Sequence, residues 1–200
     1  MTIVDQTTRF LCVRHGESEN VIRGAAGALP EAGLTARGHD QAVRLRDALA
    51  TEPITAVYAS PAVRAVQTAT PCAQTRGIPV IEMPGLAEWH LGNREGATDD
   101  ATRARTAEVV RSWVVDRDWS AAIADGEDGT AVRDRAMAAL AAIADRHGGD
   151  LVLVVAHVVS LTAAIAGLCP DLAVWGRPMP HATPFRLTRT GRQWRSNGWS

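Results

Sequence analysis

Residues Leu151–Ala156 read Leu-Val-Leu-Val-Val-Ala, six apolar residues without one polar side chain among them. The run is short for a helix and shows no apolar–polar alternation, so it fits a strand buried on both faces. Such a strand lies inside a sheet that helices cover above and below. Phe10, Leu11, Cys12 and Val13 form a second buried strand, and Ile54–Ala59 a third. Thr35 is placed to cap a helix to about Thr51, with Ala42, Leu45 and Leu49 on one face. Ser60 reads as the N-cap of the next helix, with Pro61 at its first position, a run to about Arg76 and Gly77 as its stop. A short strand near Val80 and Ile81 follows. Residues 101–119 and 130–147 are helical in pattern; Val132, Ala136, Leu140 and Ile143 make a stripe that Gly148 and Gly149 end. Leu161, Ile165 and Leu168 mark another helix, and 182–198 reads as one or two weaker strands. The alternation predicts an α/β fold: three layers, α/β/α, around a mostly parallel central sheet.

A chain of 200 residues with 46% apolar composition has room for one domain with a substantial core. The expectation is a single domain over 1–200, with a catalytic core at about 9–168 and a lid at 89–130. No apolar run approaches the ~20 residues of a membrane span. Residues 1–8 are polar with no apolar stretch, so no signal peptide is expected and the location is read as cytoplasmic. Cys12, Cys72 and Cys169 sit far apart in apolar surroundings, which predicts three buried free thiols. No Cys-x-x-Cys or His-x-x-x-His pairing suggests structural zinc. A net charge of −1 points away from nucleic acid polymers and anionic membranes. All 21 basic residues are Arg, so any anion site must use Arg, His, backbone N–H groups and neutral donors.

Ligands in open α/β sheets bind beyond the carboxyl ends of the strands. After the first strand come Arg14 and His15. After the second come Ser60, Pro61 and, in the first turn of a helix, Arg64. After Leu151–Ala156 comes His157. Three strands thus deliver two Arg and two His to one edge. Guanidinium groups match the equatorial oxygens of a phosphoryl group in transfer, and a neutral imidazole is a competent nucleophile near pH 7. A general acid must still protonate the leaving alkoxide.

These residues belong to a longer ordered set: Arg14-His15-Gly16-Glu17-Ser18 with Asn20; Leu34-Thr35-x-x-Gly38-x-x-Gln41-Ala42; Ser60-Pro61-x-x-Arg64-x-x-Gln67-Thr68-Ala69; Leu86-x-Glu88 on to Glu95-Gly96; Gly126-Glu127; and Val154-Val155-x-His157. In this set the chain resembles the histidine phosphatase superfamily, the phosphoglycerate mutase-like group, over about residues 9–165. The resemblance implies the phosphoglycerate mutase-like fold and an enzyme that hydrolyses small phosphomonoesters through a phosphohistidine, without metal or organic cofactor. It implies His15 as nucleophile and Arg14, Arg64 and His157 as holders of the phosphoryl oxygens. Glu88 would be the proton donor and then the base that activates water, with Asn20 at phosphate or substrate. The partner would be a small-molecule phosphomonoester, and the sequence leaves room for a homodimer.

Val158 stands where the family usually has Gly, and it is expected to reshape the wall beside His157. Glu17 is expected to support its loop; His39, His90 and His147 read as surface or loop residues. His181 is a candidate pocket residue, with a structural role equally open. Trp89 is the Trp expected to face substrate, while Trp113, Trp119 and Trp175 read as core or rim. A mutase is the alternative. Against it stand Val158 and Val159 where the mutases carry Gly-Asn, the absence of a Tyr soon after Glu88, the short span from Glu88 to His157 and the absence of Lys. Arg103 or Arg105 would have to replace such Lys contacts. An alternative of another class is a weakly catalytic regulatory or binding module on the same fold.

Overall fold

The computed structural model describes residues 6–199. Residues 1–5, part of the stretch read as having no signal peptide, and Ser200, the end of the expected domain, lie outside the described residues. The strands are β1 (Thr7–Arg14), β2 (Ile54–Ala59), β3 (Val80–Glu82), β4 (Leu151–Ala156), β5 (Pro184–Thr190) and β6 (Gln193–Ser196). Their order in the sheet is β3-β2-β4-β1-β5-β6. The first four neighbours run parallel, and β5 and β6 add an antiparallel edge. The tail therefore supplies two strands.

The helices are α1 (Glu19–Ile22), α2 (Ala36–Ala48), α3 (Val63–Gln74), α4 (Asp100–Arg111), α5 (Gly129–Arg146) and α6 (Val158–Leu168). Strand side chains alternate between two cores, as the pleat requires. Val152, Val154 and Ala156 join Phe10 and Cys12 under the α5 stripe of Val132, Ala136, Leu140 and Ile143. Leu151, Leu153 and Val155 join Leu11 and Val13 under Leu45 of α2 and Ala65, Ala69 and Cys72 of α3. Every residue of β4 is buried, so the six-residue apolar run is apolar because both of its faces are covered.

Some boundaries differ from expectation. Thr35 caps α2 by accepting from the Gly38 N–H at 3.0 Å, but the helix stops at Ala48 instead of about Thr51. α3 begins at Val63 with Ala62 as N-cap and ends at Gln74, short of Arg76. Ser60 is not its cap, because the Ser60 hydroxyl is engaged by His157, 2.7 Å away. The helix expected over 101–119 is α4 followed by a wider π-helical turn, Ser112–Asp116, which closes at Arg117 in the left-handed region, φ 60°. Cys12 and Cys72 are fully buried, with burial pushing the Cys12 thiol up to about 12. Cys169 is only half-buried, since it follows the last turn of α6. His147 lies in the loop after α5, one of the two readings for it, and is half-buried there, 3.0 Å from the Tyr58 hydroxyl and 3.1 Å from the Asp150 carboxylate. Among the described residues no helix is long and apolar enough to cross a membrane.

Candidate active site

The register of the parallel strands builds the site. Arg14 stands opposite Ala156 and Ala59 opposite Val155, so β1, β4 and β2 end flush. The next residue of each strand is therefore delivered to the same edge. The His15 N–H donates to the Ala156 carbonyl at 3.0 Å and the Ser60 N–H to that of Val155 at 2.9 Å. The His15 and His157 ring centroids come within 5.1 Å. Arg64, on the first turn of α3, reaches between them: Nε lies 3.2 Å from His15 Nε2 and Nη2 lies 3.2 Å from His157 Nδ1. Arg14, His15, Asn20, Arg64, Glu88 and Val158 line one cavity of about 190 Å³. His157 is fully buried behind Arg64 and does not line that cavity.

The hydrogen bonds fix the tautomers. His15 Nδ1 lies 2.7 Å from the Gly16 carbonyl, which can only accept, so Nδ1 carries the proton and Nε2 the lone pair. Arg64 can only donate, so His157 Nδ1 accepts and Nε2 gives its proton to Ser60. Burial first, then the Arg64 charge, holds His15 well below the usual imidazole pKa. Burial, then His15 and Arg64, does the same for His157. Both rings are neutral near pH 7. Arg14 donates through Nη1 to the Met179 carbonyl at 3.0 Å, while its buried Nε has no acceptor among the described residues. A buried donor left unmet is costly, and an anion in the cavity would meet it.

The backbone around the site is locked by close approaches. A Cβ on Gly38 would lie within 1.9 Å of the Glu17 carbonyl, so only glycine lets α2 press on the loop after His15. Thr68 of α3 accepts from the Gly16 N–H at 2.9 Å, and Glu17 Oε1 accepts from the Thr35 hydroxyl at 2.9 Å. Glu17 thus braces the loop, as its position suggested.

Arg64 is held by a second loop. Its Nη1 and Nη2 donate to the Leu29 and Ala28 carbonyls, each at 2.7 Å. The N–H groups of Ala28 and Leu29 point the other way, to the Glu95 carboxylate at 3.2 and 3.3 Å, which also accepts from Leu91 N–H at 2.6 Å. A carboxylate and a guanidinium therefore grip three successive peptide units, holding the one between Ala28 and Leu29 from opposite edges. The loop's turn needs Gly27, at φ 105°, where a Cβ would run into the Glu95 carboxylate. Glu95→Ala should release this grip and lower kcat/KM by about ten- to a hundredfold, the scale for ångström-sized misplacement of a positioned group. The loss should vanish in an Arg64→Ala background, which a double-mutant cycle measures.

Glu88 sits across the cavity at the start of α6. Its Oε1 accepts from Ser160 N–H at 3.0 Å and Trp89 N–H at 2.9 Å, and Oε2 accepts from Val159 N–H at 3.2 Å. Burial raises its pKa, and the three N–H donors only partly offset that. Arg135 of α5 fixes the segment, donating to the Gly85, Ala87 and Glu88 carbonyls at 3.0, 2.7 and 3.1 Å while paired to Glu127 at 2.7 Å. Among the described residues no three His, Cys, Asp or Glu side chains cluster to hold a metal.

The family model of the histidine phosphatase superfamily, branch 1, matches residues 10–200. The chain belongs to that family. A metal-independent phosphoserine phosphatase of Arabidopsis thaliana is 33% identical over 158 residues, 78% of this chain and 66% of that protein. A protein of Serratia proteamaculans named a probable phosphoglycerate mutase is 30% identical over 94% of this chain and 87% of its own length. The solved structure of Bacillus stearothermophilus YhfR superposes with a TM-score of 0.80, at 29% identity and 95% coverage of both chains.

Several candidates fare differently in this histidine phosphatase. Asn20 is buried at the cavity, with Oδ1 accepting from the Ser18 hydroxyl at 2.7 Å. Trp89 is among the cavity-lining residues but does not face the cavity freely: it is 1% exposed, packs edge-on against Trp113 at 4.6 Å and donates to the Glu127 carbonyl. His181 lies 5.7 Å from the His15 ring, but its Nδ1 donates to the His15 backbone carbonyl and it does not line the cavity. Arg103 and Arg105 do not line it either; they pair with Asp100 and Glu108 on the exposed side of α4. Thr68, Glu95 and Glu127 stood in the quoted motifs without a role there, and Ser60 only as a helix cap. Arg135 stood in none.

Proposed function

We propose that this histidine phosphatase hydrolyses phosphate monoesters of a small metabolite through a phosphohistidine on His15. The unmet buried donor on Arg14, in the cavity wall beside a lone pair on His15 Nε2, is the observation that carries the reading. The phosphoryl dianion takes Arg14 Nε and draws Arg64 Nε away from His15 Nε2. His157 stays neutral and, through Nδ1, accepts from Arg64 Nη2, steadying the guanidinium that faces the dianion. Nε2 of His15 then attacks phosphorus, the bond to the ester oxygen breaks, and Glu88 gives its proton to the leaving alkoxide. A water next gives a proton to Glu88 and attacks phosphorus, which breaks the phosphorus–nitrogen bond and releases inorganic phosphate. Two guanidinium groups supply the charge that a metal supplies elsewhere.

The phosphoserine phosphatase named among the relatives supports hydrolysis, and the mutase-named relative keeps phosphotransfer as the second reading. A mutase must hold a substrate carboxylate, and Arg103 and Arg105 are turned to solvent-side partners. Residues 89–130 act as the lid, contributing Leu91 and Thr106 to the cavity wall. The place of action is the cytoplasm, as monomer or homodimer. p-Nitrophenyl phosphate should be turned over undiminished in excess EDTA, with stoichiometric inorganic phosphate. Loss of turnover with chelator, or exchange of 2- and 3-phosphoglycerate with little phosphate released, would count against this function.

A further inference from the structure

We infer that the natural ester carries a small uncharged, largely apolar alcohol and that a carboxylate on the leaving group is rejected. This rests on the phosphatase function proposed above. Among the described residues three charged side chains line the cavity: Arg14, Arg64 and Glu88. The two cations balance the phosphoryl dianion and leave nothing for a second anion. Beyond the reacting centre the wall is Val21, Ala25, Leu91, Val158 and Val159, with Asn20 and Thr106 as neutral polar contacts.

Several backbone and hydroxyl donors that could stand in for a cation are also engaged. The N–H groups of Val159 and Ser160 at the start of α6 are taken by Glu88, and those of Ala28, Leu29 and Leu91 by Glu95. The Thr106 hydroxyl gives its proton to the Thr102 carbonyl, so it offers a lone pair to an alcohol and no donor to a carboxylate. In the lid, Arg103 donates to the Thr98 carbonyl and pairs with Asp100, and Arg105 pairs with Glu108. A substrate carboxylate would thus be desolvated among methyl groups and close to Glu88, with no cation to pair it and only the neutral Asn20 amide as a side-chain donor. The apolar wall instead gains from covering an aliphatic or aromatic group. Phosphoserine, the substrate class in one relative's name, falls on the rejected side.

The test compares kcat/KM for 3-methylbutyl phosphate, 3-phosphoglycerate and O-phosphoserine on the unaltered protein, with p-nitrophenyl phosphate as reporter. All three are primary alkyl esters, and the carboxylate compounds have the less basic leaving groups, so leaving-group chemistry opposes the expected order. The methylbutyl ester should lead both carboxylate esters by on the order of a hundredfold. Val21→Arg places a cation on the apolar wall and should narrow that ratio by about tenfold. Equal or faster turnover of 3-phosphoglycerate or O-phosphoserine would overturn the substrate class while hydrolysis of the reporter leaves the phosphatase function standing. No turnover of any of the four esters would overturn both.

Discussion

His15→Ala should remove turnover of p-nitrophenyl phosphate, with kcat falling by roughly 10³- to 10⁶-fold, the range seen when a covalent nucleophile is deleted. The expectation follows from the hydrogen bond between Nδ1 and the Gly16 carbonyl, which fixes the lone pair on Nε2 beside Arg64. Burial and the Arg64 charge keep this ring neutral, so it attacks without first losing a proton. The free enzyme should therefore show no loss of kcat/KM from His15 as pH drops through the range in which an ordinary imidazole protonates, because burial and the Arg64 charge lower this imidazole's pKa. A rapid quench with labelled ester should trap an alkali-stable, acid-labile phosphoryl group on the unaltered protein and none on His15→Ala. The substitution removes a side chain at a strand end and leaves both cores intact, so unchanged circular dichroism should accompany the loss. A label that persists in the variant would move the nucleophile to another residue.

The edge of the sheet was legible because strand ends in a parallel sheet are set by main-chain register. Apolar runs mark β1, β2 and β4, and whatever follows each run must meet at one edge; Arg14, His15, Arg64 and His157 do. Side-chain direction in loops is not set that way. Ser60 looked like a cap, since Ser before Pro commonly is one, but His157 on another strand engages its hydroxyl. Trp89 adjoins Glu88, yet it turns into the core toward Trp113, a neighbour from the π-helical turn after α4 that no local pattern reveals. Glu95 sits in a motif, but its carboxylate acts on a loop some 66 or 67 positions away, and only the fold brings the two together. Arg135 lies on a helix of ordinary amphipathic pattern, where an Arg reads as solvated. Its partners are three carbonyls and a carboxylate from other segments. The sequence pattern thus located the reacting groups, and long-range packing chose what holds them in place.

Glu88→Gln separates chemistry from scaffolding. Glu88 accepts two N–H groups at the start of α6 and that of Trp89; the amide oxygen of Gln can keep the pair that Oε1 holds, Trp89 and Ser160, and loses the longer bond from Val159, so the fold should survive. The proton is what disappears. An alkyl ester leaves as a strongly basic alkoxide and needs that proton; p-nitrophenolate leaves without it. kcat should fall by about 10²- to 10⁴-fold for 3-methylbutyl phosphate and far less for p-nitrophenyl phosphate. The pH profile gives a second readout. Burial raises the Glu88 pKa, and only the protonated acid donates, so kcat/KM for the alkyl ester should decline as pH rises through that raised value. Without a titrating acid, Glu88→Gln should lose this alkaline limb. Equal losses on both esters with the limb unchanged would reduce Glu88 to a cap for α6 and pass the proton to another group. The three N–H donors favour the carboxylate while the apolar surroundings favour the acid. That opposition suits a residue that must surrender a proton to the alkoxide and then take one back from water in every cycle.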